Sequence, residues 1–161
     1  GEIALRVMRT CREMGIEVVA VFSEADRTSP HVLFADEAYH IGAAPSSESY
    51  LNYAKILEVA QRSKAEAIHP GYGFLSENTD FAREVEAAGI TFIGPPAQAI
   101  KTMGDKTMAR QSMLLTNVPV VPGTEEPITD TKKARMIASK IGFPVLIKAA
   151  GGGGWQGYAD C

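Results

Sequence analysis

Lys148 closes the apolar run Phe143-Pro-Val-Leu-Ile-Lys148, and after Ala149 and Ala150 come four consecutive glycines, Gly151, Gly152, Gly153 and Gly154. A strand that delivers an ammonium beside a loop of bare backbone amides is suited to holding phosphate. Glycine lets N–H groups approach an anion closely, and lysine adds a point charge that amides lack. The same glycines would also serve as a flexible linker, and a lone lysine is most often solvated. Gly152-Gly-Gly-Trp-Gln-Gly157 satisfies G-x-G-x-x-G after a strand. Within a glycine run that match carries little weight, and neither the following helix nor an acidic residue about twenty positions on is present before Cys161. There is no G-K-[ST], which excludes a P-loop.

Two further segments place chemistry-bearing residues beside turns. His69-Pro-Gly-Tyr-Gly-Phe-Leu-Ser-Glu-Asn78 lies between a predicted strand and a predicted helix, at the edge of the sheet where open α/β folds bind ligands. Its two glycines expose backbone, and Tyr72 and Phe74 offer flat apolar surface. The plainer roles are helix capping by Ser76 or Asn78, a solvated Glu77 and a His69 that bonds only locally. Met103-Gly-Asp-Lys106 stands just before a helix. Lys106 and Lys148 meeting on one polyphosphate would stabilise a transferring phosphoryl group, although spacing alone fits two unrelated surface lysines equally well.

The elements that must position these residues follow from periodicity. Ile3, Ala4, Val7, Met8, Cys11 and Met14 recur at helical spacing, with Gly15 as the stop. Strands are expected at Glu17 to Phe22, Glu37 to Ile41, Ala67 to His69, Thr91 to Ile93 and in the run ending at Lys148. Helices are expected over Tyr50 to Ser63, capped by Ser47 or Ser49, over Asn78 to Ala88, closed by Gly89, and over Met108 to Leu115. A last helix, capped by Asp130 or Thr131, runs to Ile141 and ends at Gly142. This alternation predicts an α/β fold with a doubly wound parallel sheet. A helix at residue 2 with no strand ahead of it implies a missing first strand. A domain boundary is expected between Gly94 and Asp105.

Composition sets the outer bounds. The 161 residues suit one domain, or one domain and the start of a second. A hydrophobic share of 45% and a charged share of 22% are those of a globular core. The net charge of −3 gives no electrostatic reason to expect nucleic acid or an anionic membrane. No apolar run approaches the length of a transmembrane helix. Cys11 and Cys161 offer neither a disulfide framework nor metal-ligand spacing, which favours a reducing, cytoplasm-like compartment.

Taken together, Gly1-Glu-Ile-Ala-Leu-Arg6, the His69 to Asn78 string, Met103-Gly-Asp-Lys106 and Pro144-Val-Leu-Ile-Lys148-Ala-Ala-Gly-Gly-Gly-Gly154 resemble biotin carboxylase, the ATP-grasp component of biotin-dependent carboxylases. The resemblance implies a Rossmann-like, parallel-sheet preATP-grasp domain over residues 1–103, followed by the start of an ATP-grasp domain over 104–161. It also implies ATP with Mg2+, bicarbonate, and biotin as a carrier-bound substrate. By motif position Lys106, Lys148 and Gly151 to Gly154 are implied as ATP-binding. Gly71, Tyr72 and Gly73 are implied at the biotin end of the cleft, with Glu77 supporting that loop. Arg6, Arg9 and Glu13, on one helical stripe, are implied at a homodimer interface, against the alternative of a solvated face. The implied partners are a biotin carboxyl carrier protein or domain and a carboxyltransferase, most like the acetyl-CoA carboxylase system of fatty acid biosynthesis. The implied compartment is the cytoplasm, or the mitochondrial matrix in a eukaryote.

The chain departs from that family in two places. The family opens with a strand ending in Asn-Arg just before Gly1. After Gly154 it continues with glycine, a basic residue, glycine, methionine and arginine, where this chain reads Trp155-Gln-Gly-Tyr-Ala-Asp-Cys161. The carboxylates that hold magnesium, the base and the bicarbonate-binding arginine are expected downstream, so no catalytic or metal-ligating residue is expected here and these residues alone should not turn over. The alternatives are another biotin-dependent carboxylase (propionyl-CoA, methylcrotonoyl-CoA or pyruvate), another ATP-grasp ligase such as carbamoyl-phosphate synthetase, or a non-catalytic nucleotide-binding or dimerisation module.

Overall fold

A computed structural model describes residues 1–104, 106–124, 126–148 and 158–160. The chain divides into two compact units, Gly1–Ala97 and Gln98–Cys161.

The first unit is a mixed α/β arrangement with parallel strands. Helix α1 (Glu2–Glu13) places Glu2 in its first turn and Arg12 in its last, the charge order that complements the helix dipole. It closes in a Schellman motif: Gly15 takes φ 71°, its N–H reaches the Arg12 carbonyl at 3.1 Å, and the Ile16 N–H reaches the Cys11 carbonyl at 2.8 Å. Strand β1 (Val19–Ser23) pairs in parallel with β2 (Glu37–Gly42), with Val19 opposite Glu37 and Phe22 opposite His40. The short helix α2 (Pro30–Phe34) lies between them and was not expected from the sequence; Pro30 opens it.

Helix α3 (Tyr53–Arg62) starts later than predicted, and its cap is Asn52, whose Oδ1 accepts from the Lys55 N–H at 3.4 Å. Ser49 stands three residues ahead of that cap, and its buried hydroxyl donates to the Pro45 carbonyl at 2.9 Å. The helix closes in a Schellman motif with Lys64 in the left-handed region, at φ 57°.

Strand β3 (Ala67–Ile68) pairs in parallel with β4 (Thr91–Phe92). Helix α4 (Thr79–Ala87) joins them; Asn78 caps it by accepting from the Phe81 N–H at 2.8 Å, and Gly89 closes it at φ 74°. Among the described residues the strands are therefore hydrogen-bonded two by two rather than in one continuous doubly wound sheet.

Phe81 is the centre of this unit, 1% exposed, with the Tyr53 and Phe92 rings each 6.0 Å away. Ala82, Val85, Ala20 and Ile41 are buried. The apolar stripe predicted on α1 is only partly covered: Met8 is buried, whereas Ile3 and Met14 are exposed.

The second unit contains α5 (Ala97–Gly104) from its second residue onward, α6 (Lys106–Leu115) and α7 (Thr131–Ile141), then β5 (Leu146–Lys148) paired antiparallel with β6 (Tyr158–Asp160). Asp130 caps α7 through the Lys132 N–H at 3.0 Å. Helix α5 and strand β6 were not expected from the sequence. Helix α6 ends in another Schellman motif, with Asn117 at φ 57° and the Val118 N–H on the Met113 carbonyl at 2.9 Å.

Candidate functional site

The His69 to Asn78 segment leaves the C-terminal end of β3 and enters α4 through a single 3-10 turn, Phe74–Glu77. His69 folds back on its own loop, with Nδ1 accepting from the Gly71 N–H at 3.1 Å. Gly71 and Gly73 have φ 73° and 70°, and Gly73 carries ψ −167°, a combination reserved almost entirely for glycine. A Cβ at either position would meet nothing within 4 Å, so backbone geometry rather than crowding requires glycine here. The next residue, Phe74, is itself at φ 47°.

This strained path presents Tyr72 and Phe74 outward, 77% and 65% exposed, while Leu75 anchors the turn in the core. The Ser76 hydroxyl donates to the Gly73 carbonyl at 2.8 Å, so Ser76 tightens the loop and leaves capping to Asn78. Glu77 is the last residue of the turn.

Tyr72 also lines a groove of about 340 Å3 with Ile3, Arg6, Val7, Thr10 and Cys11 of α1. The uncovered part of the α1 stripe thus faces the glycine loop. Arg6, Arg9 and Glu13 are all exposed, and Arg6 is the one that reaches the groove.

A half-buried polar cluster that sequence reasoning did not find lies at the end of β1. The Tyr50 hydroxyl donates to Asp26 Oδ2 at 2.5 Å and accepts from the Ser23 N–H at 3.0 Å; the Ser23 hydroxyl donates to the same carboxylate oxygen at 2.8 Å. The Tyr50 and Ser23 hydrogen bonds hold the Asp26 carboxyl below the usual carboxylate range, while burial, then Asp26, pushes the Tyr50 phenol up. His31 is 4% exposed. Burial lowers its imidazole pKa, and Asp26 opposes that shift. The imidazole closes so tightly on Gly1 that a Cβ there would stand 2.5 Å from Nδ1.

In the second unit Lys106 is the first residue of α6 and Lys148 the last residue of β5. Gly151 to Gly154 and Trp155 lie outside the described residues. Among the described residues no group of three or more His, Cys, Asp or Glu side chains is arranged to hold a metal ion, so none is assigned to magnesium. Among them, too, no helix is long and apolar enough to cross a membrane.

Known proteins resemble the chain along nearly its whole length. Residues 1–100 match the family "Biotin carboxylase, N-terminal domain", and residues 105–159 match "Carbamoyl-phosphate synthase L chain, ATP binding domain". The biotin carboxylase of Haemophilus influenzae is 56% identical over 158 residues, covering 98% of this chain and 35% of that protein. The mitochondrial methylcrotonoyl-CoA carboxylase subunit alpha of Glycine max is 55% identical over 98% of this chain and 22% of that protein. The crystal structure of the biotin carboxylase domain dimer of Hydrogenobacter thermophilus 2-oxoglutarate carboxylase, in complex with MgADP, ADP and bicarbonate, superposes with a TM-score of 0.91. It is 50% identical over 100% of this chain and 35% of that one. The chain thus spans about a third of the length of the biotin carboxylase it matches.

Proposed function

The chain belongs to the biotin carboxylase family, and from that premise we propose that it supplies the N-terminal domain, over residues 1–103, and the opening of the ATP-binding domain, from residue 104, of an enzyme that carboxylates biotin on a carrier protein. In the first step a bicarbonate oxygen attacks the γ-phosphorus of ATP, the bond to the β-γ bridging oxygen breaks, and carboxyphosphate and ADP form. In the second, the carboxyl group passes to a ureido nitrogen of biotin as phosphate leaves and that nitrogen gives up its proton.

The roles proposed for this chain are binding and positioning. Lys106 and Lys148 neutralise the phosphates of ATP, and Gly151 to Gly154 close over them with backbone amides. Gly71, Tyr72 and Gly73 form a wall at the biotin end, supported by Glu77. Arg6, Arg9 and Glu13 face a second copy of the chain. Magnesium, when bound with the nucleotide, supplies charge neutralisation, and its ligands are assigned to no residue described here. A carboxyltransferase downstream of the carrier, an acetyl-CoA acceptor and a cytoplasmic location complete the reading. The methylcrotonoyl-CoA relative keeps other acyl acceptors within it.

The observation that carries this reading is the loop after β3: two glycines in left-handed backbone hold an exposed Tyr72 at the C-terminal edge of a parallel strand pair, within a chain that matches biotin carboxylase over residues 1–100. The test is transfer of isotopic label from bicarbonate to free biotin by the whole protein. ATP-dependent transfer supports the reading. ATP cleavage that ignores biotin and responds to an amine or ammonia instead would place the protein among other ATP-grasp ligases.

A further inference from the structure

Arg110 is half-buried on α6, four residues after Lys106, and four residues of helix bring two positions to the same face about one turn apart. Its Nη1 donates to the Val121 carbonyl, eleven residues further along the chain. The guanidinium also lies beside Gly123, where a Cβ would stand 3.5 Å from Nη1 and 3.8 Å from Cζ. Nε is buried and, among the described residues, has no acceptor.

The stretch that Arg110 holds is Val118-Pro-Val-Val-Pro-Gly123. Its two prolines have no N–H to donate, so the segment has few means of fixing itself by its own ladder of hydrogen bonds. The chain reverses at Asn117, where the left-handed residue and the Val118 tether to Met113 close α6. Val121 then comes back alongside the middle of the helix, so the strap returns toward the turn that begins at Lys106.

We infer that Arg110 is a positioning residue for nucleotide binding: its guanidinium ties the returning 118–123 strap to the face of α6 on which Lys106 stands, and so fixes the wall beside that lysine. This inference rests on the proposed role of Lys106 at the ATP phosphates. A guanidinium suits the task because it can keep one N–H on the Val121 carbonyl while its carbon lies beside Gly123, a reach that a compact ammonium lacks.

The test is biotin-dependent ATP cleavage by the whole protein, with Lys106→Ala as the reference. Arg110→Met, which keeps most of the packing volume, is expected to raise the KM for ATP about tenfold while kcat falls no more than about twofold and the KM for biotin stays put. Arg110→Lys should recover only part of the ATP affinity. A KM for ATP within twofold of the parent in both variants overturns the inference. So does an equal rise in the KM values for ATP and biotin, which marks a general loss of structure. If Arg110→Met is too unstable to assay, Arg110→Lys decides alone: a parental KM for ATP overturns the inference and a raised one supports it. An unchanged KM for ATP in Lys106→Ala would instead remove the nucleotide reading of α6 itself, whatever the Arg110 variants do.

Discussion

Replacing Gly73 with alanine isolates the backbone contribution of the glycine loop. At φ 70° and ψ −167° a residue with a Cβ is strained, yet that Cβ would meet no atom within 4 Å. The whole effect is therefore conformational, about 2 kcal/mol for a non-glycine residue held in such a region. Gly15 is the matched control: its φ is 71°, it too has open space, and it sits at an ordinary helix stop, where alanine costs about 1 kcal/mol. Urea unfolding of both variants should show Gly73→Ala as the more destabilised by about 1 kcal/mol. Should the loop relax to escape the strain, the stability gap closes, but Tyr72 and Phe74 on either side must move. The KM for biotin in the whole protein then rises. A Gly73→Ala variant no less stable than Gly15→Ala, with an unaltered KM for biotin, would refute the argument that this backbone shape serves the site.

Three further outcomes follow from the first unit. Tyr50→Phe removes a donor to Asp26 and the acceptor for the Ser23 N–H, and denaturant unfolding should register a loss of about 2 kcal/mol, with the Asp26 carboxyl rising toward its ordinary range by NMR titration. His31 is held below its ordinary pKa of 6.5, so the neutral ring is the folded form. Its contribution is complete above pH 6.5 and is lost as pH falls below that value, so the melting temperature should drop between pH 7.5 and 5.5 and His31→Gln should flatten the drop. Lys64 occupies the left-handed closing position of α3, and Lys64→Gly should stabilise by about 1 kcal/mol in the same unfolding assay.

Much of this architecture was legible because local signals agreed with the fold. The stops at Gly15 and Gly89 and the caps at Asn78 and Asp130 stand where residue type predicts, since each reflects a backbone demand met within a few residues. The stops at Lys64 and Asn117 were not legible in the same way, because the left-handed closing residue at each is not a glycine. Asn52 rather than Ser49 is the cap because α3 begins at Tyr53, three residues later than the apolar spacing suggests.

The site divides along the same line. A contiguous string announces the loop from His69 to Asn78, whereas Ser23, Asp26 and Tyr50 meet only after β1 and the approach to α3 have folded. Short separations such as that between Ser23 and Asp26 show no period that would mark a hydrogen-bonded carboxylate. Helical spacing marks an apolar stripe on α1, yet spacing does not tell which of its residues find a cover. Ile3 and Val7 instead line the groove beside Tyr72.

The central claim is that Lys148 meets the triphosphate of ATP in a biotin carboxylase, and biotin-dependent ADP release by the whole protein tests it most directly. Lys148→Ala is expected to lower that rate by about a hundredfold or more, with Lys148→Arg partly active because the charge is kept. A Lys148→Ala protein that releases ADP at the parental rate, with the parental dependence on ATP and biotin, would contradict the account.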